Sequence, residues 1–311
     1  MMIDGILLLN KPTGISSNSA LQKTKRLLKA DKAGHTGCLD PLASGMLPIC
    51  LGEATKFSRF FIEEDKRYTV EACLGSTTTT GDKEGEVLNT QAVPSFSDEQ
   101  IQAALSHFLG TQTQIPPMYS AVKHNGQPLY KLARRGIEVA RKERTITISE
   151  LTLTHRDQDR LVLTVTCSKG TYIRTLVEGL GQFLGCGAHV GVLHRLWVAP
   201  FQSYPMVELN ELAGADNTAM PFLLSVPEIL AKLLPAVTLD QETAIKLCRG
   251  QTMPFVAEQP QENVILLDHS GDFMGIGQIA DNRIAPKRLM AKTSENNGCA
   301  SIEPVLKCLT S

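Results

Sequence analysis

Residues 5–9 form an unbroken apolar run that ends at Asn10-Lys11-Pro12-Thr13-Gly14, and this pattern predicts a first strand closed by a turn. Ser16, Ser17 or Asn18 is placed to cap a helix reaching about Leu28, with its basic residues on the exposed face. A glycine-rich loop follows at 34–45. Tyr68–Leu74 alternates like a strand, Thr77–Thr80 reads as a polar connection, and 98–109 as a helix. Pro116-Pro117 excludes a regular element over 114–120. Thr145–Leu153 and Leu161–Cys167 alternate as two strands around a turn at Arg156–Arg160. Ile173, Leu176, Val177, Leu180 and Leu184 recur at helical spacing, and Gly185-Cys186-Gly187 stops that helix.

Beyond residue 200 the texture changes. Short helices are expected at 207–213 and 226–233, then Leu239–Cys248 as a helix before Gly250. Val264–Leu267, Phe273–Ile279 and Lys287–Ala291 read as short strands separated by turns at His269–Asp272 and Asp281-Asn282. This suits a small β-rich domain beginning near residue 237, with a loose tail from Lys292. No internal repeat stands out.

Composition narrows the class. The chain has 311 residues, enough for about two domains, and no apolar stretch of about 18 residues that would predict a membrane span. The acid at Asp4 and the short apolar run do not fit an export signal, so a cytoplasmic protein is expected. Eight cysteines are scattered with no CxxC pair, and the seven histidines form no HExxH or HxxxH pair, so neither a disulfide scaffold nor a metal site is expected.

Charge is unevenly distributed. Residues 1–199 hold 23 Lys+Arg against 19 Asp+Glu, whereas 200–311 hold 8 against 13. Six bases fall in 11–32 (Lys11, Lys23, Lys25, Arg26, Lys29, Lys32), and seven in 123–144 (Lys123, Lys131, Arg134, Arg135, Arg141, Lys142, Arg144). Such patches suit either a polyanionic partner or simply solvated helix faces. Monomer is the default expectation.

Two glycine-rich motifs carry no cofactor. In Gly75–Asp82 an acid occupies the lysine position of a phosphate loop and would repel phosphate. Gly179–Gly187 follows a helix instead of a strand. The informative segment is GHTGCLDPLASGML, residues 34–47. Asp40 precedes Pro41, which disfavours a helical conformation there. It fits either a turn-former satisfying its own backbone or a carboxylate held on a stiff loop as nucleophile or base. Ionised in a semi-buried site, it needs a cation. Arg174, in SKGTYIRTL, is either that partner or a surface residue of a first helical turn. Tyr68, Tyr119 and Tyr172 lie in polar or basic settings suited to stacking on a base, or to the edge of a core.

Six segments in order resemble the TruB family, the bacterial tRNA pseudouridine-55 synthases. They are GILLLNKPTGISSN, GHTGCLDPLASGMLPICLGEATKFS, KRYTVEACLG, IPPMYSAVKHNGQPLYKLARRG, KGTYIRTLVEGLG and GAHVGVLHRL. The resemblance implies an α+β fold, with a mixed-sheet pseudouridine synthase catalytic domain over 1–236 and a small β-barrel-like PUA domain over 237–311. It implies an RNA-binding insertion near 115–145, no cofactor, and tRNA as partner through its T-arm and acceptor end. It also implies Asp40 as catalytic aspartate, Arg174 as its partner, Tyr68 and Tyr172 against the target base, Leu193 lining the base pocket, and His35 entering the RNA loop. Cys38, Ser44, Thr79 and His194 depart from the family pattern. His194 replaces a frequent arginine and is expected to weaken one phosphate contact. Two rivals remain: a related synthase acting on another RNA, and a tRNA-folding chaperone that needs no chemistry.

Overall fold

A computed structural model describes residues 3–213 and 222–290. The expected tail from Lys292 and the Ala291 end of the last expected strand lie outside the described residues. In chain order the strands are β1 (Gly5–Lys11), β2 (Ala33–His35), β3 (Ser44–Leu51), β4 (Lys66–Leu74), β5 (Ser76–Thr78), β6 (Val87–Thr90), β7 (Gly110–Gln114), β8 (Lys123–His124), β9 (Gln127–Pro128), β10 (Arg144–Arg156), β11 (Arg160–Cys167), β12 (Ala188–Val198), β13 (Ala236–Thr238), β14 (Met253–Pro254), β15 (Gln261–Leu267), β16 (Phe273–Ala280) and β17 (Arg283–Leu289). The helices are α1 (Ser17–Leu27), α2 (Arg59–Ile62), α3 (Asp98–His107), α4 (Leu129–Ala133), α5 (Ile173–Phe183), α6 (Leu209–Ala213), α7 (Val226–Leu230) and α8 (Gln241–Cys248).

The large sheet runs β1-β3-β12-β4-β11-β10-β7, with β2 added beside β3. It is mixed, because β12 pairs parallel with β3 while its neighbours pair antiparallel. β1 is apolar from Gly5 to Leu9 because both its faces are covered. Leu7 and Leu9 pack with Ala20, Leu21 and Leu28 around α1, and Ile6 and Leu8 pack with Phe57, Phe61 and Phe201. Helices α3 and α5 cover the other half of the sheet, burying Ile101, Leu105, Leu176, Val177 and Leu180 on Val70, Leu163 and Val190. Ser16 caps α1, and a reciprocal Ser97–Gln100 capping box starts α3.

A second sheet, β13-β15-β16-β17-β14, holds the C-terminal region, with α8 beside it. Asp281 and Asn282 have φ of 51° and 54°, the backbone a tight two-residue hairpin turn requires. This sheet shares a core with the first. Ile265 and Ile276 are fully buried in one cluster with Phe57, Phe61 and Phe201, and the Phe57 and Phe273 rings meet at 5.5 Å.

Several strands were not foreseen, among them three that build the large sheet. β12, at the centre of the sheet, breaks its alternation at two bulges, Val190/Val192 and Arg195/Trp197. β3 carries Pro48 inside it, which argues against a strand on sequence grounds. β7 is the polar GTQTQ at the sheet edge. The Thr77–Thr80 connection is partly ordered as β5, paired with β6.

Candidate active site

The loop between β2 and β3 carries Asp40, and it is pinned along its length. Ser17 Oγ donates to Leu39 O at 2.9 Å and accepts from Leu39 N at 2.7 Å, tying the loop to α1. Thr36 N donates to Pro48 O, Gly14 N to Pro41 O, and Ala43 N to Asp40 O. Lys11 straps it from below. Its ammonium donates to Pro12 O and Ile15 O at 2.8 Å and to Pro41 O at 3.5 Å. Lys11 is wholly buried, so it leaves the basic patch predicted over 11–32 and meets no phosphate. Burial lowers its pKa to about 8, partly offset by Asp40 and Glu84.

The Asp40 side chain remains 38% exposed and faces Arg174 instead of its own backbone, with Arg174 Nε 2.9 Å from Asp40 Oδ2. Arg174 follows the first residue of α5, and its guanidinium is buried. Nη1 donates to Thr80 O and Nη2 to Tyr119 O, both at 2.7 Å. A second carboxylate completes the set: Asp82 Oδ2 lies 3.8 Å from Arg174 Nε. Asp82 is itself held by Thr80 Oγ1 at 2.6 Å and Glu84 N at 3.1 Å. Burial lifts the Asp40 pKa above its ordinary value, Arg174 opposes this by charge and hydrogen bond, and Asp82 adds to the lift.

Around this pair lie apolar walls. Tyr68 on β4 and Leu193 on β12 are buried in one cluster with Leu39, Leu42 and Ile173. Tyr172 precedes α5, its backbone gripped by Gln114, which accepts from Tyr172 N at 2.7 Å and donates to Tyr172 O at 3.0 Å. Burial raises the phenol pKa of both tyrosines, and the Asp40 charge acts in the same direction on each. His35, on β2, has a buried Nδ1 without a hydrogen-bond partner, and burial and Arg195 lower its pKa. Asp40, Arg174, Tyr68, Tyr172 and Leu193 thus converge, and His35 stands at the start of the loop. No group of three His, Cys, Asp or Glu side chains suited to a metal occurs among the described residues.

Residues 25–173 match the profile of the TruB family pseudouridylate synthase N-terminal domain. Residues 174–231 match the tRNA pseudouridylate synthase B C-terminal domain, and 235–290 the C-terminal domain of pseudouridine synthase II TruB. The chain is 52% identical over 298 residues to the tRNA pseudouridine synthase B of Nitrosococcus oceani, covering 94% of this chain and 96% of that one. The chain belongs to the TruB family of pseudouridine synthases. The Coxiella burnetii protein of the same name is 49% identical over 296 residues, spanning 93% of this chain and 96% of that one. The same fold occurs in the structure of an H/ACA RNP bound to a substrate RNA containing 2′-deoxyuridine, at TM-score 0.70 and 18% identity over 93% of this chain and 85% of that one. It recurs in a Cbf5-Nop10-Gar1 complex at TM-score 0.69 and 22% identity, over 93% and 84% of the two chains.

Within this TruB-family chain, sequence reasoning gave no role to Asp82 or Arg195 and read Lys11 as one base of a surface patch. Asp82 had a signal: an acid spoiling a phosphate loop, which here faces a guanidinium. Arg195 had none and Lys11 was misplaced, because nothing in the sequence tells a buried base from a surface one. Two of the departures from the family pattern touch each other. Ser44 Oγ and His194 Nδ1 are 2.8 Å apart across the parallel β3–β12 register. Burial lowers the His194 pKa, which disfavours the cationic form a phosphate contact would need.

Proposed function

We propose that this protein isomerises uridine 55 in the T-loop of tRNA to pseudouridine. The N1–C1′ bond breaks, the uracil turns over, C5 bonds to C1′, and the C5 proton is lost as N1 gains one. The observation that carries this is the Asp40–Arg174 pair at 2.9 Å on a pinned loop, with Asp40 still open to solvent. The near-complete match to proteins called tRNA pseudouridine synthase B supports tRNA as substrate. Asp40 is the catalytic group, acting as a carboxylate at C1′, C6 or the C2′ proton, and Arg174 keeps it charged. Reaching a stacked uridine costs a few kcal/mol. Tyr68, Tyr172 and Leu193 offset it by enclosing the flipped base, and His35 fills the gap it leaves. Residues 1–236 act as the catalytic domain, with 115–145 closing on the T-arm. Residues 237–311 act as a PUA-like module toward the acceptor end. The reading includes a monomer working in the cytoplasm.

The test is turnover of an unmodified tRNA transcript tritiated at uracil C5, with the modified position mapped. Wild type is expected to release tritium from the T-loop uridine, while Asp40→Asn binds tRNA and releases none. Tight binding without release by wild type would favour the chaperone, and release from another uridine would favour a synthase of different target.

A further inference from the structure

Gln114, the last residue of β7, commits both ends of its side-chain amide to one residue 58 positions further along the chain. Its Oε1 accepts from Tyr172 N at 2.7 Å, and its Nε2 donates to Tyr172 O at 3.0 Å. Donor and acceptor project from one planar group, so the amide pairs with a single residue as a neighbouring strand would. Gln112, two places back on the same face of β7, behaves differently. Its Nε2 donates locally, to Phe108 O at 2.5 Å. The Gln114 contact is therefore no default of a glutamine on this strand.

The residue it grips is one that the helix does not hold by itself. Tyr172 is the N-cap of α5, with extended backbone at φ −100° and ψ 110°, and its side chain makes no capping bond. An N-cap lies half outside the helix, which fixes only its carbonyl, through Leu176 N donating to Tyr172 O at 3.1 Å. The N–H side is left to Gln114. Just upstream, Gly170 turns the chain at φ +79° and brings no side chain to stiffen it. Holding both the N–H and the C=O of Tyr172 fixes its φ and ψ, and these set where its Cα–Cβ bond points. Gln114 also stands where segment 115–143 leaves the sheet. It pairs with Arg144, the first residue of β10, and Pro116-Pro117 ends the strand beyond it. Five residues on, Tyr119 O accepts from Arg174 Nη2 at 2.7 Å, so the root of that segment meets the start of α5 at two points.

We propose that Gln114 is the positioning residue of Tyr172: its amide sets the backbone of that N-cap, and with it the direction in which the ring enters the Asp40–Arg174 site. This rests on Tyr172 facing the target base, as proposed above. The ring is then aimed before RNA arrives, which leaves less ordering to the moment of binding. Because the amide belongs to the root of segment 115–143, a shift of that segment is passed directly to Tyr172.

The experiment is a double-mutant cycle read by single-turnover rate at saturating tRNA and by tRNA dissociation constant. Gln114→Met keeps the length of the side chain and removes its donor and acceptor. It is expected to slow turnover by roughly a hundredfold, as a misplaced active-site group does, while the dissociation constant, set mainly by phosphate contacts, stays close to wild type. On a Tyr172→Ala background, where the backbone remains but the ring is gone, the same substitution should cause little further loss of rate. A wild-type rate in Gln114→Met, equal loss on both backgrounds, or loss confined to the dissociation constant would overturn the proposal. Should Gln114→Met not fold, Gln114→Glu replaces it. That side chain accepts from Tyr172 N but sets a carboxylate oxygen against Tyr172 O, and the same masking by Tyr172→Ala is expected. Wild type and Asp40→Asn run alongside: no turnover by wild type counts against the proposed function, whereas turnover without coupling counts against Gln114 alone.

Discussion

Two carboxylates, Asp40 and Asp82, share the Arg174 guanidinium, and the sharing decides how Asp40 titrates. Burial and Asp82 push its pKa up, and Arg174 pulls it back. In its proposed role Asp40 acts only when ionised, so turnover should be present above its folded-state pKa and lost as pH falls through it. Arg174→Met removes the main opposing charge. The acid limb of the pH–rate profile should then move to higher pH, measured as single-turnover rate across the neutral range. The same change leaves two acids uncompensated and should cost about 3 kcal/mol in urea unfolding, the low end for a broken buried pair because Asp40 is partly exposed. At Tyr68, the ring and hydroxyl separate by substitution. Tyr68→Ala should weaken tRNA binding by about 1–3 kcal/mol, the worth of a stacked base, and Tyr68→Phe by clearly less. Equal binding losses would contradict stacking. The Asp40–Arg174 pair was half legible in the sequence: Pro41 marked a stiff loop and Arg174 a strand-to-helix junction, but 134 residues separate them and only the fold brings them together.

Elements explain where the reading along the chain failed. Helices α1, α3 and α5 were legible because one face of each is apolar, and serines cap the starts of α1 and α3. β12 and β3 were not, since bulges in one and Pro48 in the other hide the period of two that marks a strand. Yet their short parallel contact, His194 to Ser44 and Arg195 to Gly45, is where the loop carrying Asp40 joins the sheet. Gly45 has φ of +101°, and a Cβ there would lie 2.2 Å from Arg195 O. Gly45→Ala should therefore destabilise the fold by about 2–4 kcal/mol through backbone strain and clash, seen as a lowered urea midpoint. It should also reduce turnover, since the loop loses its anchor. Ser44 and His194 depart from the family pattern together and form one contact. They are best varied as a pair.

At the scale of the molecule, the net charge of −1 hides a basic half and an acidic half. Of the seven bases over 123–144, only Arg141 is drawn inward, to Pro116 O and Glu138, and the other six are exposed. If this face meets RNA phosphates, the logarithm of tRNA affinity falls linearly with the logarithm of salt concentration. Arg134→Ala with Arg135→Ala should flatten that slope by about 1–2, without changing which uridine is modified. The acidic C-terminal sheet cannot bind RNA by net charge, and its place is set instead by grease. Ile265, Ile276 and Phe273 close over Phe57, Phe61 and Phe201, and Lys56 Nζ donates to Leu289 O across the same seam. The C-terminal region is therefore no detachable cartridge. A chain cut after residue 234 would carry a raw aromatic scar, and it would be lost to clumping before any other consequence of the cut was felt.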